Sequence, residues 1–160
     1  MTIRTYLRFA PVLILLAALA ACRVDGPPAS EDPEAVLRLF LQGLHDGRYQ
    51  EASAYFQPDT DFLTGMNPDL SPDETAALLE RGCRMNGFMC LMPGEVLAVE
   101  EAPAGLYSFT LQFRMDDGTL FEQGPCCGAD PEGPTTTAFA IRVDCSSGSC
   151  RVLDMPPYVP

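Results

Sequence analysis

Apolar residues recur at Val36, Leu37, Phe40, Leu41 and Leu44, a three-and-four spacing that puts them on one face of a helix. Asp32-Pro33-Glu34 supplies its start: a side-chain acceptor, a proline at the first helical position and an acid in the first turn. Asp46-Gly47 supplies its end. Tyr49, Ala52 and Phe56 repeat the spacing and predict a second, short helix over 49–56 with those three residues buried. Residues 58–68, bounded by prolines, read as a loop carrying Phe62, Leu63 and Met66. Ser71-Pro72-Asp73-Glu74 has the form of a capping box, predicting a third helix over 72–83. Beyond Pro93 the period shortens to two. Strands are predicted over 95–101 and 106–115, then across an Asp117-Gly118 turn over 119–123. A Gly- and Pro-rich loop over 124–134 leads to a last hairpin, 136–144 with 151–155, and an extended tail, 156–160. Helices first and a strand meander afterwards predict an α+β domain over 33–160, with the helices packed on one curved antiparallel sheet of four to five strands.

The first 21 residues follow none of these periods. Arg4 and Arg8 precede an apolar run over 9–18, and Leu19-Ala20-Ala21-Cys22 follows it. The run contains Pro11 and falls short of the roughly 20 apolar residues that a membrane-spanning helix needs. Positive, apolar and small-residue regions in that order make a secretory signal. The cysteine directly after it resembles the lipidation box of bacterial lipoproteins. That resemblance implies cleavage before Cys22, acylation of its sulfur and an extracytoplasmic location on a membrane. At about 0.8 kcal/mol per buried methylene, one acyl chain anchors marginally and two or three anchor firmly. In Gram-negative lipoproteins an aspartate after the cysteine often signals inner-membrane retention; Arg23 stands there, which favours the outer membrane facing the periplasm. Residues 22–32, with Gly26-Pro27-Pro28, then read as a lipidated cysteine and flexible tether.

Removing the leader takes away two arginines and no acid, moving the formal charge from −12 to about −14 on 139 residues. Such a surface repels phosphate backbones, so nucleic-acid binding is disfavoured. Every basic residue apart from His45 is arginine. Cys83, Cys90, Cys126, Cys127, Cys145 and Cys150 remain after Cys22, an even number that fits three disulfides in an exported domain. Cys145 and Cys150 flank Ser-Ser-Gly-Ser and are expected to bridge across a hairpin turn. Adjacent cysteines rarely bond to one another, so Cys126 and Cys127 are each expected to pair with Cys83 or Cys90; a local Cys83–Cys90 bridge is the rival.

Glu34-Ala35-Val36-Leu37-Arg38-Leu39-Phe40-Leu41, followed by Leu44-His45-Asp46-Gly47-Arg48-Tyr49-Gln50-Glu51-Ala52, resembles the opening of nuclear transport factor 2-like (cystatin-like roll) domains. There a first helix ends at a glycine–acid turn, and a second begins with an aromatic and a buried alanine. The resemblance implies a conical pocket between sheet and helices. In some relatives that pocket holds a small ligand or an active site; others are inert assembly parts. The cysteine-rich stretch over 126–134 is not part of the usual pattern.

Candidate chemistry is sparse. His45 is the single histidine and falls off the apolar stripe, where a helix C-terminus suits a cation. An isomerase- or dehydratase-like site would need an acid and a tyrosine in the cone, for which Tyr49, Tyr55, Tyr107, Asp61 and Glu122 are the candidates. Glu100-Glu101 and Asp116-Asp117 read as solvated strand-end and turn residues, without the rest of a calcium loop. Met85, Met89 and Met92 around Cys90 could offer soft ligands to Cu(I). The preferred reading of that stretch is disulfide cysteines with methionines filling a gap in the core. Zinc is not expected, since Cys126-Cys127 forms no Cys-x-x-Cys knuckle. The expectation is an envelope lipoprotein, a binding or assembly module without a metal or other cofactor. Its partners would be the membrane through Cys22 and an envelope protein or small apolar ligand. The alternatives are a small enzyme in the cone or a copper-handling protein.

Overall fold

A computed structural model describes residues 32–57, 61–125 and 132–159. The proposed leader, Cys22, most of the tether, and Cys126 and Cys127 lie outside the described residues. Within them the chain is α+β, with four helices and a four-stranded antiparallel sheet.

Helix α1, Pro33–His45, begins and ends where its caps dictate. Asp32 Oδ1 accepts the Glu34 N–H at 3.0 Å. At the other end the Gly47 and Arg48 N–H groups return to the Leu44 and Gly43 carbonyls, the paired bonds of a Schellman motif. Gly47 supplies the positive φ of +72° that this motif needs. Helix α2, Tyr49–Ser53, packs so closely against α1 that a Cβ on Gly43 would lie 3.1 Å from the Ala52 Cβ. Ala52 and Phe56 are buried as expected, whereas Tyr49 is half-buried. Phe56 stacks on Phe40 with ring centroids 4.9 Å apart.

Residues expected to form a loop contain helix α3, Asp61–Met66. Its six residues could not hold a helix alone. Burial of Leu63 and capping of the Leu63 carbonyl by the buried Asn67 side chain, at 2.8 Å, hold it in place. Helix α4, Thr75–Arg84, starts three residues later than the capping box suggests. Half of the box does close: the Ser71 N–H donates to Glu74 Oε2 at 2.8 Å. It closes a turn ahead of the helix, with the Glu74 N–H bonded to the Ser71 carbonyl.

The sheet has the order β1-β2-β3-β4. Its strands are Met92–Ala102, Leu106–Arg114, Phe139–Asp144 and Arg151–Val152. Alternate residues Phe109, Leu111, Phe113, Ile141 and Val143 face the helices and are buried, the period of two expected of a sheet with one solvated face. The Asp117-Gly118 turn forms, but 119–123 is no strand of the sheet. It touches β2 through the Phe121 N–H to the Phe113 carbonyl and tucks Phe121 against Phe139. β4 stops at Val152 instead of reaching Met155, because the Asp154 carboxylate takes the Arg142 N–H that would otherwise continue the ladder. The far edge of β4 is covered by the chain after α2: the Val152 N–H donates to the Tyr55 carbonyl, and the Gln57 N–H to that of Val152.

Two disulfides are present among the described residues. Cys145–Cys150 bridges the last hairpin as expected, with Cα atoms 4.0 Å apart. Cys83 bonds to Cys90, Cα atoms 5.4 Å apart, so the rival pairing holds and neither sulfur is left for Cys126 or Cys127. The physical reason is local: α4 ends at Arg84 and the chain turns straight back toward β1, bringing the two cysteines together without help from a distant loop.

Candidate functional site

The space between α1 and the sheet, where a conical pocket was expected, is occupied. Leu37, Phe40 and Leu41 from the helix and Phe109, Phe113, Ile141 and Val143 from the strands are all at most 1% exposed and belong to one core. Arg38 ties this helix to the sheet's edge, bonding the Glu34 carboxylate at 2.8 Å and the Gly94 carbonyl at 3.2 Å.

The candidate acids and tyrosines are spread over different elements. His45 closes α1 and is half-buried. Tyr49 lies beneath the Arg84 guanidinium, 5.6 Å from ring centre to Cζ. Tyr55 is buried beside β4, and Asp61 begins α3 on the surface. Glu122 accepts a hydrogen bond from Thr135 Oγ1. Tyr107 does meet a carboxylate, but it is that of Glu101, to which its hydroxyl donates at 3.2 Å. The Glu101 charge, then burial and the hydrogen bond, push the Tyr107 phenol up. That is the wrong direction for a tyrosine serving as a base near neutrality. Glu101 is thus more than a solvated strand-end residue. Asp117 is the turn residue expected: Thr119 bonds its carboxylate through both hydroxyl and N–H and holds it below its ordinary pKa.

Of the soft ligands proposed for copper, Cys83 and Cys90 are spent on one another. Met85 is 75% exposed, so it fills no gap in the core, whereas Met89 does pack against it. Among the described residues no three His, Cys, Asp or Glu side chains gather as metal ligands.

What the tertiary structure does assemble is a cleft of about 200 Å³ between α3, the segment after α4 and the segment after β4. Phe62, Leu63, Phe88 and Met155 supply apolar walls, and Arg142 with Asp154 a polar end. Phe62, Phe88 and Tyr158 form a three-ring cluster along its rim. Centroids lie 6.0 Å apart for Phe62–Phe88, 6.2 Å for Phe62–Tyr158 and 5.4 Å for Phe88–Tyr158. Phe62 remains 56% exposed despite those contacts. At the polar end Arg142 grips Asp154 with Nε at 2.9 Å, Nη2 at 2.6 Å and its backbone N–H at 2.8 Å. Burial pushes the Asp154 carboxyl up, but the Arg142 hydrogen bonds and charge outweigh it and leave the group below its ordinary value. The pair satisfies itself, so it orients the cleft instead of offering a base to it.

Sequence reasoning missed this site because Phe62, Phe88, Arg142, Asp154 and Tyr158 follow no shared period. The only available signal was Phe62-Leu63 with Met66, at helical spacing inside a segment read as loop. No known family, curated protein or solved structure matches the chain.

Proposed function

We propose that this protein is a lipid-anchored envelope protein, acylated on Cys22, whose head is a cystatin-like roll serving as a binding or assembly module. Its compartment is the outer membrane facing the periplasm if the cell is Gram-negative. The anchor is supported by Arg4, Arg8, the apolar run and Leu19-Ala20-Ala21-Cys22. The roll is supported by a capped first helix and a second packed against it, followed by an antiparallel meander. The observation that carries the binding role is the exposed aromatic rim of the cleft, Phe62 above all. Large apolar side chains left facing water beside a self-satisfied ion pair fit an apolar guest better than a reacting one. A space of this size takes about one aromatic side chain or a small apolar ring.

Two measurements test the reading. Cells making the native chain should incorporate labelled palmitate into it, and the Cys22→Ser chain should not; equal labelling removes the anchor. Indole, matched to one aromatic side chain, should shift the Met155 methyl resonance saturably. The Phe62→Ser variant should weaken that response several-fold, and a native protein that shows no saturable shift removes the cleft as a binding site.

A further inference from the structure

We infer that segment 156–159 is a strap held against the Phe62–Phe88 wall of this cleft by the Cys83–Cys90 disulfide, so that reducing that bond releases the strap and bares those rings. The inference concerns regulation of the cleft and rests on reading the cleft as the binding site.

The backbone of the tail is docked mainly on the segment after α4. The Met89 N–H donates to the Pro157 carbonyl at 2.7 Å, and the Val159 N–H to the Gly87 carbonyl at 2.9 Å, making an antiparallel bridge of Phe88 with Tyr158. Gln123 Nε2 adds a bond to the Tyr158 carbonyl at 2.8 Å. Pro156 and Pro157 have no N–H to contribute, so beyond these bonds the strap holds on by the buried Pro156 and the Tyr158 ring. Its Tyr158 ring lies against Phe88 and Phe62, and Phe88 beneath it is only 6% exposed.

The receiving segment is shaped for this approach. Gly87 has φ +84°, and a Cβ there would stand 2.4 Å from the Val159 carbonyl oxygen. Only a residue without a side chain lets the strap sit where it does. That segment belongs to no helix or strand, and the disulfide closes it into a loop between the end of α4 and the start of β1. Once opened, it keeps short bonds from Met85 and Asn86 to the Arg81 carbonyl and from Phe88 to that of Gly82. None of these bonds ties the Met89 backbone, the donor to the strap, to α4, and its side chain packs against the core. Chain freedom regained on opening therefore falls on the edge that the strap needs. The reaction is a thiol–disulfide exchange with a dithiol. The reductant gives two electrons and two protons, the Cys83–Cys90 bond breaks to two thiols, and the reductant closes its own disulfide.

Hydrogen exchange on the full chain carrying Cys83→Ser and Cys90→Ser tests this. The Val159 and Met89 amides should exchange about ten-fold faster or more, while Phe109 and Ile141 amides in the core keep their protection. Gly87→Ala, with the disulfide intact, should show the same loss at Val159 and serves as the reference for a released strap. If the double variant also loses core protection, the same amides are read in native protein after brief dithiothreitol treatment, in molecules whose 83–90 peptide has gained two hydrogens. Unchanged exchange at Val159 and Met89 in a folded, reduced chain overturns the strap. Faster exchange with no indole response at Met155 in either redox state leaves the strap standing and removes the binding reading.

Discussion

At the scale of single residues, the side chains that matter most are those whose surroundings leave no second choice. Gly43 and Gly87 are spaces for another part of the chain, one for the Ala52 methyl and one for the Val159 carbonyl. Asp154 is fixed by three hydrogen bonds from Arg142 and joins β3 to the segment after β4. Because its folded pKa is depressed, it adds stability above its unfolded value and loses it as pH falls through the folded one. Urea unfolding of native and Asp154→Asn proteins should therefore differ most near neutrality and converge below pH about 4. A difference that stays constant down the acid range would show that the carboxylate charge adds nothing. Asp46, Asp69, Asp117 and Asp144 are also held below their ordinary values, but they are unchanged in the variant and cancel in the comparison.

Elements in this chain owe their boundaries to different causes. α1 is bounded by its own sequence, through the Asp32 cap, Pro33 and the Gly47 turn. Asp32→Ala should cost about 1 kcal/mol in equilibrium unfolding, the usual value of a lost N-cap. Ser71→Ala should cost less, because its hydroxyl accepts only a 3.4 Å bond from the Asp73 N–H, in a turn outside α4. If the two substitutions cost the same, the cap bond of α1 carries no special weight. α3 and β4 are different. Each is too short to persist alone, and each exists because neighbouring segments take up its polar groups and bury Leu63 or Val152.

Across the whole molecule, α1 is the element that reaches β1, β3, β4, α2 and α4, and Phe40 stands at its buried centre. Phe40→Ala should cost about 3–5 kcal/mol, since the stacked Phe56 and the surrounding strands cannot close a hole of that size. Leu39→Ala, on the exposed side of the same helix, should stay within about 0.5 kcal/mol. Denaturant midpoints of the two variants check this, and similar losses would mean that the helix does not bury the face assigned to it. Among the described residues two disulfides adjoin this core, one at the α4–β1 turn and one at the β3–β4 turn. Cys150 is itself part of the core, whereas Cys83 and Cys90 only pack against it from outside. The strap requires that the Cys83–Cys90 bond open without the fold following it, and the protection of the Phe109 and Ile141 amides reads this.

Much of the architecture was legible in the residues. Periods of about 3.6 and 2 gave α1, α2, β1 and β2, and glycine and aspartate gave the turns, because local sterics and hydrogen bonding act within a few residues. The same locality makes Cys145–Cys150 readable across its own hairpin. Helix α3, the shortened β4 and the docked tail were not readable in this way. Each depends on which distant segment arrives beside it, and no spacing along the chain encodes that arrival. The candidate site follows the same rule. Phe62, Phe88, Arg142, Asp154 and Tyr158 come from separate segments, and only packing around the α1 core brings their rings and charges to one cleft.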